Sequence, residues 1–267
     1  MRRILDYAGM FPPANLPLEQ AACNFQEYQR HPHADFLGAF IAPLYRWKDV
    51  GHADGLPAPA SLLVRDTEIG PGLQQIDAAS IEVILPAGSV REIVMLLEDS
   101  FPGRIFVELN WRQPYHPLMS LLAKTSSRFG VKLRTGGVTP DAVPPSDAVA
   151  DFLLAAAALK LPLKATAGLH VPVPNHDPAV GARMHGFLNF FSAGFLAYTG
   201  RADRKGIIHV LDNFSYDDFT FGPDAMRCGA VNFSLDEITQ LRTRWLLSFG
   251  SCSFLEPIQH LESHGLI

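Results

Sequence analysis

The chain has 267 residues, of which 48% are hydrophobic and 18% charged, and its formal net charge is −5. Such a length is long for one ordinary domain but common for an undivided α/β barrel with a single large core. With acidic residues in excess, the basic surface that nucleic acid or an anionic membrane requires is excluded, and a small-molecule partner is expected.

The opening segment MRRILDYAGMFPPANLP carries two arginines, but its apolar run is short and broken by Asp6 and the prolines, so neither a signal peptide nor a membrane anchor is expected. The first strand-like run, RRIL, leads through the helical pattern LEQAACNFQEYQR to FLGAFIAP (36–43), then to ASLLVR (60–65), SIEVIL (80–85) and RIFVEL (104–109). GVKLR (130–134) and LPLKAT (161–166) continue the series, with SVREIVMLLED, PLMSLLAKTSSRF and SDAVADFLLAAAALK as intervening helices. This alternation is that of a parallel sheet.

After residue 170 the rhythm breaks. RMHGFLNFFSAGFLAYTG reads as an apolar helix that covers the barrel or forms a subunit interface in a homo-oligomer. GIIHVLDNFSYDDFTFGPDAMRCGAVNF reads as two or three short strands with Gly, Pro and Asp turns. SLDE (234–237) is a capping box that opens a helix to about Trp245, and WLLSFGSCSF supplies one more strand. No stretch approaches the roughly 20 apolar residues that a membrane-spanning helix needs.

Seven strands before this region and one after it make eight. The expected fold is therefore an α/β, (β/α)8 TIM barrel, a single domain over 1–267. A helix-plus-hairpin insertion at about 170–233 would lie between the seventh and eighth strands, and the site at the C-terminal strand ends. Cys23, Cys228 and Cys252 are widely spaced and form no CxxC pattern, which suits a reducing cytoplasm.

Alternation along a strand places Lys132 and Arg134 on one face of the sixth strand, and Lys164 and Thr166 on one face of the seventh. Val131, Leu133 and Leu163 then point outward to the helices. Three cations converging at the barrel mouth repel one another, so one lysine is expected to have a lowered pKa and to be partly neutral near pH 7. Glu82, Glu108 and Asp6 are the carboxylates able to balance them or relay protons. Thr135, Gly136 and Gly137, the Gly168 turn, and Gly250, Ser251 and Ser253 follow three strands, and glycine lets backbone N–H groups approach an anion.

The segments VKLRTGG and LKATAGL together resemble the two lysine motifs of the deoxyribose-phosphate aldolase family, roughly K-T-S-T-G and K-x-A/S-G-G. The resemblance implies a barrel in which Lys132 forms a Schiff base and Lys164 is the cationic neighbour that tunes it. Asp6 in ILDYAGMFPP sits like the aspartate of the family's first-strand motif, Glu82 in IEVILPAG stands where the family has aspartate, and Glu108 in IFVELN matches its fifth-strand glutamate. SFGSCSF looks like the phosphate-binding FGASSL. Departures are Arg134 beside the lysine, the longer Glu82, Ala167 in place of a glycine, and the insertion. The chain is also similar to an uncharacterised bacterial family that carries KxRTGG and FGSCSF together.

The resulting expectation is a class I aldolase or related carbon–carbon lyase, without cofactor, acting on a small anionic carbonyl compound whose phosphate or carboxylate would suit Arg134. Two alternatives stand beside it. One is a metal-dependent lyase or hydrolase using His170, His176, His185 and His209 with Asp177 and Asp212. The other is a non-catalytic sugar-phosphate binder. Cys252, with no histidine adjacent in sequence, reads as a small buried strand-end residue rather than a nucleophile.

Overall fold

The structure is a computed structural model that describes residues 2–49, 57–85 and 90–267, the side chains of residues 48 and 49 excepted. Seven strands come first: β1 (Leu5–Tyr7), β2 (Leu37–Pro43), β3 (Ala60–Val64), β4 (Ser80–Val83), β5 (Arg104–Leu109), β6 (Phe129–Arg134) and β7 (Leu163–Thr166). Between them run α1 (Leu18–Tyr28), α2 (Leu44–Asp49), α3 (Val90–Ser100), α4 (His116–Thr125) and α5 (Ser146–Ala158). The Pro- and Gly-bearing segment between β3 and β4 forms short 3₁₀ turns instead of an α-helix. Residues 86–88 of the IEVILPAG motif and Ser89 of the SVREIVMLLED helix lie outside the described residues.

The insertion begins with a hairpin of β8 (Asn175–Asp177) and β9 (Ala182–Met184), followed by α6 (Phe187–Thr199) and α7 (Arg204–Asn213). A three-stranded antiparallel sheet of β10 (Phe219–Phe221), β11 (Ala225–Cys228) and β12 (Val231–Ser234) precedes α8 (Leu235–Arg244). Then β13 (Leu246–Ser251) enters between β7 and β1 and closes an eight-stranded, all-parallel (β/α)8 barrel, with α9 (Leu255–Ser263) last. Ser234 accepts from the Glu237 amide and Glu237 reaches back to the Ser234 amide, the capping box expected for α8.

One expectation for the insertion is corrected. GIIHVLDN is helical, in α7, not strand: Asp203 caps it by accepting from the Gly206 amide, and Ile207, Val210 and Leu211 bury one stripe at helical spacing. The β-branched run outweighs neither cap nor periodicity. The apolar helix α6 covers the barrel, the first of its two expected roles, packed against α5, α7 and β13 with Phe187 stacked on Phe249 at 5.0 Å. It needs no partner subunit to bury it. Among the described residues, no helix is long and apolar enough to cross a membrane.

The barrel wall sorts its side chains by period two. Leu62, Ile81, Val107, Val131, Leu133 and Leu163 are fully buried in the core, each worth ~1.5–3 kcal/mol. The opposite face carries Asp6, Ser61, Ser80, Glu82, Lys132, Lys164 and Ser248, all buried and all polar. Close approach on that face fixes one glycine, because a Cβ on Gly38 would stand 2.3 Å from Asp6 Oδ1.

Candidate functional site

Strand register sets the charged layer. Lys132 pairs with Glu108 across β5 and β6, and with Lys164 across β6 and β7, while Ser248 of β13 stands opposite Lys164. Lys132 Nζ donates to Glu82 Oε2 at 2.6 Å and lies 2.9 Å from Glu108 Oε2. Lys164 Nζ lies 2.7 Å from Asp6 Oδ2 and 2.7 Å from Glu82 Oε1. Glu82 thus bridges both ammonium groups, and Phe106 lies beneath Lys164 Nζ with its ring centroid at 5.0 Å.

The remaining lone pairs are also taken. Ser61 donates to Glu82 Oε1 at 2.8 Å and itself accepts from Ser80 at 2.7 Å. Ser248 donates to Asp6 Oδ2 at 2.6 Å, and the Ala39 amide donates to Asp6 Oδ1 at 2.7 Å. Toward the open end, Arg134 Nε donates to Glu108 Oε1 at 2.9 Å. Three carboxylates, Asp6, Glu82 and Glu108, therefore meet three cations, Lys132, Lys164 and Arg134, and the layer closes at zero net charge. Only Arg134 is exposed.

The structure overturns the expectation of a lysine with lowered pKa. Burial pulls Lys132 down, but the charges of Glu82 and Glu108 outweigh it and the pKa rises above its ordinary value. Lys164 is likewise pulled down by burial and pushed further up by Asp6 and Glu82. Burial would lift the Glu82 carboxyl, yet Lys132 and Lys164 hold it well below the usual carboxylate range, and Glu108 is depressed in the same way by Lys132 and Arg134. The reason is geometric. The cations do not face one another bare, because three acids from β1, β4 and β5 interleave them.

The glycine-bearing turns pack closely on one another. Thr135 is fully buried, and its hydroxyl donates to the carbonyls of Ala167 at 2.6 Å and Thr166 at 3.2 Å, which clasps the two loops together. Gly136 and Gly168 lie back to back, since a Cβ on Gly136 would stand 2.9 Å from the Gly168 Cα, and Met184 seals the contact. Ala167 adopts a positive φ of 63°. A Cβ on Gly137 would meet Ala142, and one on Gly250 would meet the hydroxyl of the half-buried Thr166. Ser251 accepts from the Ser253 amide and Ser253 from the Glu256 amide, so Ser253 takes up an amide of the first turn of α9 and Ser251 holds the turn before it.

The four histidines of the metal reading lie apart. His185 is buried against the Pro144 carbonyl at 2.7 Å, His176 is exposed on β8, and His209 sits on α7 edge-on to Phe214. Among the described residues, no group of three or more His, Cys, Asp or Glu side chains is placed to hold a metal ion. His170 instead lies beside Cys252, with Sγ 4.0 Å from Nε2, and its Nδ1 is 2.9 Å from Glu256 Oε2. Cys252 therefore has a histidine neighbour that its own sequence surroundings do not reveal.

Sequence reasoning also missed Ser61, Ser80 and Ser248 as partners of the acids. Their signal is the polar residue recurring at period two inside otherwise apolar strands. Comparison with known proteins finds no matching family model, no matching curated protein and no matching solved structure.

Proposed function

We propose that the chain is a class I carbon–carbon lyase of aldolase type, working in a reducing, cytoplasmic compartment, with Lys132 as its Schiff-base nucleophile. The observation that carries this reading is the path Lys132–Glu108–Arg134, which connects a buried amine to the one exposed cation of the layer. Lys164 has no such route, being held by the buried Asp6 and Glu82. The three unpaired cysteines suit the compartment.

In this mechanism the resting lysine is protonated and the substrate itself releases it. A phosphate or carboxylate on the ligand takes the guanidinium of Arg134 by its bidentate fork. Glu108 then loses one of the two cations that depress it, becomes more basic, and accepts the proton of Lys132. The neutral amine attacks the carbonyl carbon and water leaves, forming an iminium. The adjacent C–C bond breaks with its electron pair drawn into the iminium, while the substrate hydroxyl gives its proton to Glu82 or Asp6. Lys164 keeps positive charge beside the reacting centre.

A second reading, an anion binder without a covalent step, is favoured by the raised pKa of both lysines. Borohydride reduction against phosphorylated aldehydes and 2-oxo acids, read by peptide mapping, separates the two. The expected result is a substrate-dependent adduct on Lys132, lost in Lys132→Ala and kept on the same residue in Arg134→Gln. Arg134→Gln should lower trapping of anionic carbonyls by about 10- to 100-fold, the size of a lost charged hydrogen bond, with little effect on neutral ones. Binding of the anions without any adduct would leave the binder and remove the lyase.

A further inference from the structure

A second set of reactive groups sits at the barrel mouth, apart from the lysine layer. His170 lies in the loop after β7, Cys252 immediately after β13, and Glu256 in the first turn of α9. Glu256 Oε2 stands 2.9 Å from Nδ1 of the imidazole, and Cys252 Sγ stands 4.0 Å from Nε2, on the opposite side of the ring. The hydroxyl of Ser251, 3.5 Å from Nδ1, is the other polar neighbour. Because sulfur and carboxylate address opposite nitrogens, they cannot converge on one metal ion. They line up instead as nucleophile, base and orienting acid.

The setting is accessible where the lysine layer is closed. Exposure of the His170 side chain is 23% and of Glu256 46%, and Cys252 is half-buried. With the carboxylate accepting from Nδ1–H, the lone pair of Nε2 faces the thiol. The start of α9, at Leu255, follows shortly after Cys252 in the chain. The other cysteines are free as well: Cys228 is buried in β11 and Cys23 is exposed on α1.

We propose that Cys252, His170 and Glu256 form a thiol acyl-transfer site for a small ester or thioester, with Cys252 as nucleophile, His170 as base and Glu256 as a positioning residue. The proton passes from Sγ to Nε2 as sulfur bonds to the acyl carbon. Collapse of the adduct breaks the bond to the leaving alkoxide or thiolate, which takes the proton back from Nε2. Water then attacks the S-acyl group, releasing a carboxylic acid and restoring the thiol. Burial pulls His170 down, but hydrogen bonds with Cys252 and Glu256 lift it to about 10, so a proton taken from the thiol is held on the imidazole until the leaving group claims it. Glu256 also feels His260 and Asp177, and Tyr7 feels Cys252, so these are the other titrating neighbours of the set.

The three cysteines make the test internal to one sample. Exposure alone ranks Cys23 as the most reactive toward iodoacetamide; the proposed site ranks the half-buried Cys252 above it at neutral pH. His170→Ala should slow labelling of Cys252 by about 100-fold, the lower range of general-base assistance, and leave Cys23 unchanged. Cys228, buried, stays unlabelled as long as the variant is folded. With p-nitrophenyl acetate, a burst of p-nitrophenolate and an acetyl group mapped to Cys252 are expected, both absent in Cys252→Ser and unaltered in Cys23→Ser. Glu256→Gln should reduce the burst rate and retain the acetylated cysteine. Faster labelling of Cys23 than of Cys252 in the wild-type protein, or acetylation of lysines only, would overturn the proposal. Neither result bears on borohydride trapping at Lys132, so the two sites fail or stand separately.

Discussion

Lys132 lies on β6 within the barrel wall and His170 in the loop that follows β7, and each touches a carboxylate, yet their surroundings differ in kind. Lys132, 3% exposed, spans two acids that are themselves held by other cations and by serines. His170 has one acid behind it and a thiol in front, and its side chain is 23% exposed. In the first case each charge is fixed by several partners, so the set resists any change of protonation. In the second, a single proton moves between two neighbours without stranding a third group. A buried ionic layer gives position; an open pair gives ready chemistry. For the layer to react, something must first remove one of its ions, and Arg134 is the member that a ligand can reach.

The largest test of this contrast is removal of the shared acid. Glu82→Gln leaves both lysines buried with one anion fewer, and breaking a buried ion pair in this way costs ~3–5 kcal/mol. Glu256→Gln removes an ion-pair partner that is nearly half exposed, and its cost is ~1 kcal/mol or less. Chemical denaturation of both variants reads the difference directly. Equal and small losses would mean that the layer is not a closed network.

The dependence of stability on pH sharpens the same division. Glu82 and Glu108 are depressed, so their contribution is fully present above the ordinary 4.5 and is lost as pH falls through their folded values. Lys132 and Lys164 are raised, so theirs is fully present below the ordinary 10.5 and is lost as pH rises through their folded values. The layer thus predicts a plateau between about 4.5 and 10.5. His170 acts inside that plateau: raised from 6.5 to about 10, it stabilises fully below 6.5 and loses this as pH rises toward 10. Subtracting the unfolding profile of His170→Gln from that of the wild type should expose the mouth alone. A difference that is flat from 6.5 to 10 would detach His170 from Glu256 and Cys252 in solution.

How much of this was legible in the sequence follows the range of the signal. Strand and helix periods, with the capping box at Ser234, are local, and they sufficed for the eight-stranded barrel and for the facing of Lys132 and Lys164. The helix α7 departs from the strand reading of GIIHVLDN, although its cap at Asp203 and the spacing of Ile207, Val210 and Leu211 are local signals too. Charge state was not legible at all from two strands. It depends on Asp6, Glu82 and Glu108, which arrive from β1, β4 and β5. Cys252 and His170 escaped for the same reason, being joined only by the pairing of β7 with β13 across the whole insertion. The two glycine turns were recognised as close approaches, but what approaches each loop is the other loop, a matter of packing that composition does not encode.

The smallest expected effect lies between the two regions, at Ala167, the residue that separates the strand bearing Lys164 from the loop bearing His170. Its φ of 63° puts an alanine where glycine is preferred, at a strain of ~1 kcal/mol. Ala167→Gly should therefore raise stability by at most about that amount, offset in part by the extra freedom of the unfolded chain. If His170 is held by Glu256, as the geometry has it, the labelling rate of Cys252 in Ala167→Gly will match the wild type, because the imidazole is fixed from α9 and not from its own loop. A gain in stability with a slower Cys252 would show the reverse: that the strained alanine holds the loop, and that the mouth borrows its order from the closed layer beneath it.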